Sequence, residues 1–121
     1  MTYQELEKEF NINTKQVDKF LSYLLETNKK MNLTTITNKE EMISKHIYDS
    51  LLISKAYDFK NKTVLDVGSG GGFPGIPLAM LYPTSHFVLL DSTMKKVKYL
   101  DEVRKALNLT NVEVKCARVE E

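Results

Sequence analysis

The chain carries one cysteine, Cys116. A lone thiol cannot close an intrachain disulfide, and it has no Cys or His neighbours at zinc-site spacing, so no metal site is expected. Cys116 reads as a plain strand residue. Long apolar runs are also missing. Nothing approaches the ~20 residues that a bilayer-spanning helix needs. The start, MTYQELEKEF, has no basic segment followed by an apolar one, so no secretory signal is legible and a cytoplasmic protein is expected. Charge of one sign is scarce as well. The formal net charge is +1, so the overall balance does not announce a binder of polyanions, and any basic surface must be local. A chain of 121 residues suffices for one hydrophobic core and not for two.

The pattern changes near residue 60. Before it the chain reads as helical. Thr2 with Glu5 forms a capping box for a helix from Tyr3 to about Phe10. Asn13 opens a second helix with Val17, Phe20, Leu21, Leu24 and Leu25 along one face. Thr37 with Glu40 reads as the capping box of a third, carrying Met42, Ile43, His46, Ile47, Ser50 and Leu51. Between these two helices, Met31 to Ile36 is a loop or a short extended piece.

After Lys62 strands and helices alternate. Thr63 to Val67 reads as a buried strand, His86 to Leu90 as a second closed by Asp91, and Val112 to Cys116 as a third. Pro74 suits the first turn of the helix between the first two strands, and Pro83 ends that helix. A second crossover helix spans Met94 to Leu107, with Val97, Leu100, Val103 and Leu107 on one face and Asn108 as its stop. Two consecutive βαβ units mean parallel strands with right-handed crossovers, which is the first half of a doubly wound α/β sheet. Such sheets bind ligands at the carboxyl ends of their strands.

Glycine is rare except at that point. Four of the five glycines, Gly68, Gly70, Gly71 and Gly72, fall between the first strand and the next helix. Four glycines in five positions would waste stability unless something must approach the backbone closely. A dinucleotide is one candidate ligand, since Gly70-x-Gly72-x-x-Gly75 fits GxGxxG and Asp91 follows about 20 residues on. Two features oppose it. The register that begins directly after the strand, at Gly68, fails at Phe73, and the Asp66 carboxylate would repel a pyrophosphate. S-adenosylmethionine has no phosphate but carries an ammonium and a sulfonium, so Asp66 becomes an asset. Asp66-x-Gly68-x-Gly70-x-Gly72 fits a methyl-donor loop without a gap. Asp91 can accept from both hydroxyls of a ribose, which serves any adenosyl cofactor. Its plainer reading is a solvated turn residue before Ser92.

The segments DVGSGGGFPGIPLA, LLDSTMKKVKYL, NLTTI and KHIYDSLL, in these relative positions, resemble the bacterial RsmG (GidB) family over essentially the whole chain. The resemblance implies a Rossmann-like S-adenosylmethionine-binding domain at residues 61–121 after a helical part at residues 1–60. It also implies methylation of a guanine N7 in small-subunit (16S) ribosomal RNA. By position in the family's motifs, Gly68 and Phe73 are expected to contact the cofactor, and Val119 and Glu120 to lie along its adenine. Asn32, His46, Asp49 and Ser50 match the motifs of the helical part beside the cofactor mouth. His46 and Asp49 stand one turn apart and could orient the loop or touch RNA, or could simply lock the helix onto the sheet. No catalytic acid or base is assigned, and none is needed, because guanine N7 carries a lone pair and no proton.

The chain also departs from the family. It ends just after the third strand, so it reads as part of a longer protein, with the first strand an exposed hydrophobic edge. Alternatives stay open. One is a methyltransferase for another substrate. Another is a non-catalytic module holding an adenosyl ligand, or holding RNA through Lys95, Lys96 and Lys98, which equally suit a solvated helix face. A nicotinamide enzyme ranks below these. Lys29 and Lys30 read as plain surface.

Overall fold

A computed structural model describes residues 1–117. Three helical segments precede three parallel strands and two crossover helices. Helix α1 (Tyr3–Phe10) starts at the expected capping box. Glu5 N donates to Thr2 Oγ1, and Thr2 N donates to Glu5 Oε1, both at 3.1 Å. Helix α2 (Thr14–Asn28) is capped by Asn13, whose Oδ1 accepts from Gln16 N. Val17, Phe20, Leu21 and Leu24 are fully buried on its inner face, while Leu25 is only partly covered. Each of these four contributes about 1.5–3 kcal/mol by leaving water.

The third segment differs from the sequence reading. Its cap is Asn38, whose Oδ1 accepts from Glu41 N at 2.9 Å, and not Thr37 with Glu40. Asn caps at least as well as Thr, so the helix starts one residue later. Nor is it one regular helix. Short α3 (Lys39–Met42) runs into a π-helical turn (Ile43–Ile47) and then α4 (Tyr48–Ala56). In the wide turn Tyr48 N reaches back to Ile43 O. Asp18 ties the three segments together by accepting from Tyr3 Oη at 2.6 Å and pairing with Lys39 at 2.9 Å.

Strands β1 (Thr63–Val67), β2 (His86–Asp91) and β3 (Val112–Cys116) lie side by side, parallel, in the order β1-β2-β3. Helix α5 (Gly75–Leu81) follows the glycine loop, with Pro74 one residue outside its first turn, and ends two residues before Pro83. Helix α6 (Met94–Ala106) stops where Asn108 takes left-handed backbone at φ 55 and Leu109 N returns to Arg104 O. The register puts Val64, Asp66, Phe87, Leu89 and Val112 on one sheet face, and Leu65, Val67, Val88 and Leu90 on the other. Phe87, Leu89 and Val112 share one continuous core with the residues of α2 and α4. Helix α2 also closes the end of α6, because Gln16 Nε2 donates to Leu107 O and Lys19 Nζ to Ala106 O, both at 2.9 Å.

The buried first strand is not what the fold provides. Leu65 is 58% and Val67 54% exposed. Among the described residues β1 pairs with β2 only and helices cover one face of the sheet, so the second apolar face and the outer edge of β1 stay open. The exposed edge that the sequence analysis expects is therefore present. No helix among the described residues is long and apolar enough to cross a membrane.

Apolar residues on an unpaired edge promote self-association. The double substitution Leu65→Lys, Val67→Lys leaves the covered core untouched. It should keep the chain monomeric to higher concentration in sedimentation velocity, and unaltered association would show that this face is not adhesive.

Candidate cofactor site

The loop after β1 is shaped by hydrogen bonds to the end of β2. Gly68 N and Ser69 N donate to Leu90 O of β2 at 2.8 and 3.2 Å. Gly70 N donates to Asp91 Oδ2 at 3.1 Å. Gly72 N then folds back onto Ser69 O at 2.8 Å. This course needs positive φ at Gly68 (73), Gly70 (56) and Gly72 (104), which side chains disfavour. The two ends of the loop face different surroundings. A Cβ on Gly68 would meet nothing within 4 Å, whereas one on Gly72 would press on Ile76 at 2.9 Å and Phe20 at 3.3 Å. The first half of the loop is thus open to a ligand and the second is packed into the core.

One carboxylate, Asp91, borders the open half, and a second, Asp66, lies behind the loop at the start of α5. Asp91 is 7% exposed, so it is not a solvated turn residue. Oδ2 holds Gly70, and Oδ1 accepts from Thr93 N at 2.9 Å, which also starts α6. Asp66 turns toward α5, and its Oδ2 accepts from Gly75 N at 3.0 Å. A side chain at Gly75 would collide with Leu89 and stand 2.7 Å from that oxygen, so glycine is required for the contact. Burial raises the Asp66 pKa above the ordinary carboxylate value, partly opposed by the Gly75 hydrogen bond.

The rest of the loop is braced from the helical part. The Phe73 ring stacks on His46 at 4.7 Å and leans on Phe20 at 5.3 Å. His46 Nε2 is 2.7 Å from Thr34 Oγ1. That oxygen also accepts from Ile36 N, and the direction of its bond with His46 follows the ring's tautomer. Burial lowers the His46 pKa, against a smaller opposing effect of the Asp49 charge. Ser50 is buried and its Oγ donates to His46 O at 2.7 Å in the π-helical turn. Asp49 is exposed and, among the described residues, makes no hydrogen bond to His46. Asn32 is exposed on the preceding loop. The structure therefore gathers Asp66, Gly68, Gly70, Gly72, Phe73, Asp91, His46 and Ser50, and leaves Asn32 and Asp49 at the surface. Val119 and Glu120 lie outside the described residues.

Two contributors escape the sequence analysis. Asn28 Oδ1 accepts from Leu33 N and Thr34 N at 2.8 and 2.9 Å, shaping the loop that presents Thr34. Tyr99 is buried, and its hydroxyl donates to Gly71 O at 2.9 Å. A Tyr three residues past a lysine pair on an amphipathic helix is the available signal for the second. Asn28 carries none beyond standing at a helix end.

Residues 13–121 match the family model described as rRNA small subunit methyltransferase G, or GidB. The chain belongs to that family. It is 47% identical to ribosomal RNA small subunit methyltransferase G of Alkaliphilus metalliredigens, over 93% of this chain and 48% of the relative. It is 41% identical to the protein of the same name from Aster yellows witches'-broom phytoplasma, over 91% of this chain and 54% of the relative. The chain thus spans about half the length of the curated relatives it matches. Among solved structures, a SAM-dependent methyltransferase from Aquifex aeolicus superposes with a TM-score of 0.57 at 27% identity, covering 78% of this chain and 47% of that one. Coclaurine N-methyltransferase bound to N-methylheliamine and SAH also superposes with a TM-score of 0.57, at 25% identity, covering 83% of this chain and 29% of that one. The parallel α/β architecture is that of these methyltransferases.

His46 provides a test of the brace. Its folded pKa lies below the unfolded value, so the unfolded state binds the proton more tightly. Its contribution to stability is complete above the ordinary His pKa of about 6.5 and is lost as pH falls through that value toward the folded pKa. Thermal melts between pH 7.5 and 5 should therefore show a smaller acid loss for His46→Phe than for the unsubstituted chain. Equal losses would mean that His46 is not held neutral against Phe73.

Proposed function

We propose that the protein to which this chain belongs transfers a methyl group from S-adenosylmethionine to guanine N7 of 16S ribosomal RNA in the cytoplasm. Residues 1–60 are its helical part and residues 61–121 the first half of its cofactor domain. The observation that carries the reading is the loop itself. Three left-handed glycines sit at the carboxyl end of β1, with free space on the outer side of Gly68, the Asp91 carboxylate on Gly70 and the Asp66 carboxylate behind the loop at Gly75. Such carboxylates suit a cationic, phosphate-free ligand and repel a pyrophosphate. The residues present therefore fit S-adenosylmethionine.

In this reading Gly68, Gly70 and Gly72 let the backbone approach the ligand. Asp91 accepts from ribose hydroxyls with the lone pairs that Gly70 and Thr93 leave free. Asp66 places negative charge beside the ligand's ammonium, and Phe73 closes the site against the helical part. Val119 and Glu120 lie along the adenine. When bound, the cofactor supplies an already activated methyl group. Guanine N7 has a lone pair and no proton, so the protein's own work is alignment and presentation of the base, with no general base required. Asn32, His46, Asp49 and Ser50 belong to the face that meets the RNA or orients the loop. Coclaurine N-methyltransferase superposes on 83% of this chain, so the architecture alone does not choose the substrate. The match to the ribosomal RNA family, which extends into the helical part from residue 13, supports RNA.

Calorimetric titration with S-adenosylmethionine, with NAD as control, tests this directly. Selective binding of the methyl donor is expected. Asp66→Asn keeps an acceptor for Gly75 but removes the charge, so affinity for the donor should fall roughly tenfold to a hundredfold. Because burial raises the Asp66 pKa, the charge costs stability as pH rises through the ordinary carboxylate range. The same variant should therefore melt no lower at neutral pH. A folded chain that ignores the methyl donor, or prefers NAD, overturns the assignment.

A further inference from the structure

A second feature lies on the far side of Tyr99 from the glycine loop. Helices α2 and α6 run antiparallel, with the start of α2 bound to the end of α6 through Gln16 and Lys19. The end of α2 therefore meets the start of α6, and between them is an open cleft of about 380 Å³. Its walls include Lys30 and Met31 from the end of α2 and Lys95, Lys98 and Glu102 from α6, with Tyr99 between them. Three ammonium groups face one carboxylate, in a chain whose net charge is only +1. All three lysines are exposed, and among the described residues none is held in an ion pair. Lys29 is different, since it pairs with Glu26 at 3.3 Å. Lys96 is half-buried and does not line the cleft.

The placement runs against local helix physics. The first turn of α6 holds no acidic residue and carries Lys95 and Lys96, with Lys98 just beyond. Cations near the positive end of a helix dipole are unfavourable there, and an acid would be stabilising. A breach of a local rule without a structural return is the mark of a functional site. The cleft also lies at the carboxyl end of the sheet. Tyr99 joins it to Gly71, and Met31 leads directly into the loop that presents Thr34 to His46.

We propose that this cleft binds the phosphodiester backbone of the substrate RNA, with Lys30, Lys95 and Lys98 each meeting phosphate and the Met31 side chain giving a base an apolar surface. This rests on the RNA-directed reading above and adds the residues that would hold the strand. Contact with the backbone positions a nucleic acid without reading its sequence, so the cleft serves register and not base choice.

The test compares two triple variants of this chain with equal charge change, using a 16S ribosomal RNA transcript and equilibrium binding at several salt concentrations. One is Lys30→Gln, Lys95→Gln, Lys98→Gln. The other is Lys15→Gln, Lys60→Gln, Lys62→Gln, which neutralises exposed lysines at the start of α2 and before β1, toward the opposite end of the strands. Three lost phosphate contacts should reduce the salt slope by about 2 and weaken binding about 100-fold near ~0.1 M salt. The control triple should stay near the unsubstituted values. Glutamine keeps helix propensity, and circular dichroism checks that both variants fold. Equal weakening by both triples would assign binding to overall charge and overturn the cleft. No weakening by the first triple would overturn it while leaving the RNA reading intact. Cofactor binding by an unsubstituted chain with no affinity for the transcript would overturn the cleft and separate its failure from that of the cofactor site.

Discussion

The contact of Phe73 with His46 and Phe20 is the constraint on which the rest of the site depends. A loop rich in glycine is costly to order, because glycine loses more conformational freedom than any other residue. Hydrogen bonds from Leu90 and Asp91 fix its first half. Its second half is fixed by packing, and Phe73 is the only large side chain it owns. Through that ring the order of the loop is inherited from α2 and the π-helical turn, and so from the core that both bury. The helical part is in this sense a structural member of the cofactor site as well as a neighbour of it.

The charges follow the same division of labour. Asp91 is nearly buried, yet both of its oxygens meet backbone N–H groups. Asp66 meets only one such group and its pKa rises. Holding a desolvated carboxylate at neutral pH is unfavourable unless a cation arrives to share it. The fold thus compensates the Asp66 charge less fully than that of Asp91. Across the loop, His46 is kept neutral by burial, so the aromatic brace brings no positive charge to compete for those carboxylates. The cationic groups stand instead in the cleft beyond Tyr99, apart from those carboxylates.

Much of this was legible in the residues alone. Periodicity located all three strands and the crossover helices to within a residue or two, because the apolar faces of α2, α6 and β2 are regular. The glycine cluster and Asp91 located the site, since few other patterns demand so much backbone freedom between a strand and a helix. What stayed hidden depends on contacts between distant segments. Asn38 outcompeted Thr37 as a cap by one position, a choice that propensity alone does not decide. The π-helical turn leaves no trace in the apolar spacing, yet it lies where His46 meets Phe73. Asn28 and Tyr99 act through backbone groups 5 and 28 residues away. Lys30 looked like plain surface because its partners in the cleft belong to a helix more than sixty positions along the chain. β1 reads as a buried strand by composition with an exposed edge, and only the placement of the helices on one side of the sheet reveals that one of its faces lies open as well.

The most direct test of the central claim is amide hydrogen exchange in Phe73→Ala. If the ring carries order from the helical part into the second half of the loop, the Gly72 amide should exchange much faster than in the unsubstituted chain, and the Gly68 and Gly70 amides, held by Leu90 and Asp91, should change less. Those of Phe87 and Leu89 in β2 should keep their protection. Unchanged protection at Gly72 would contradict the account, because the loop would then be ordered by its strand hydrogen bonds alone.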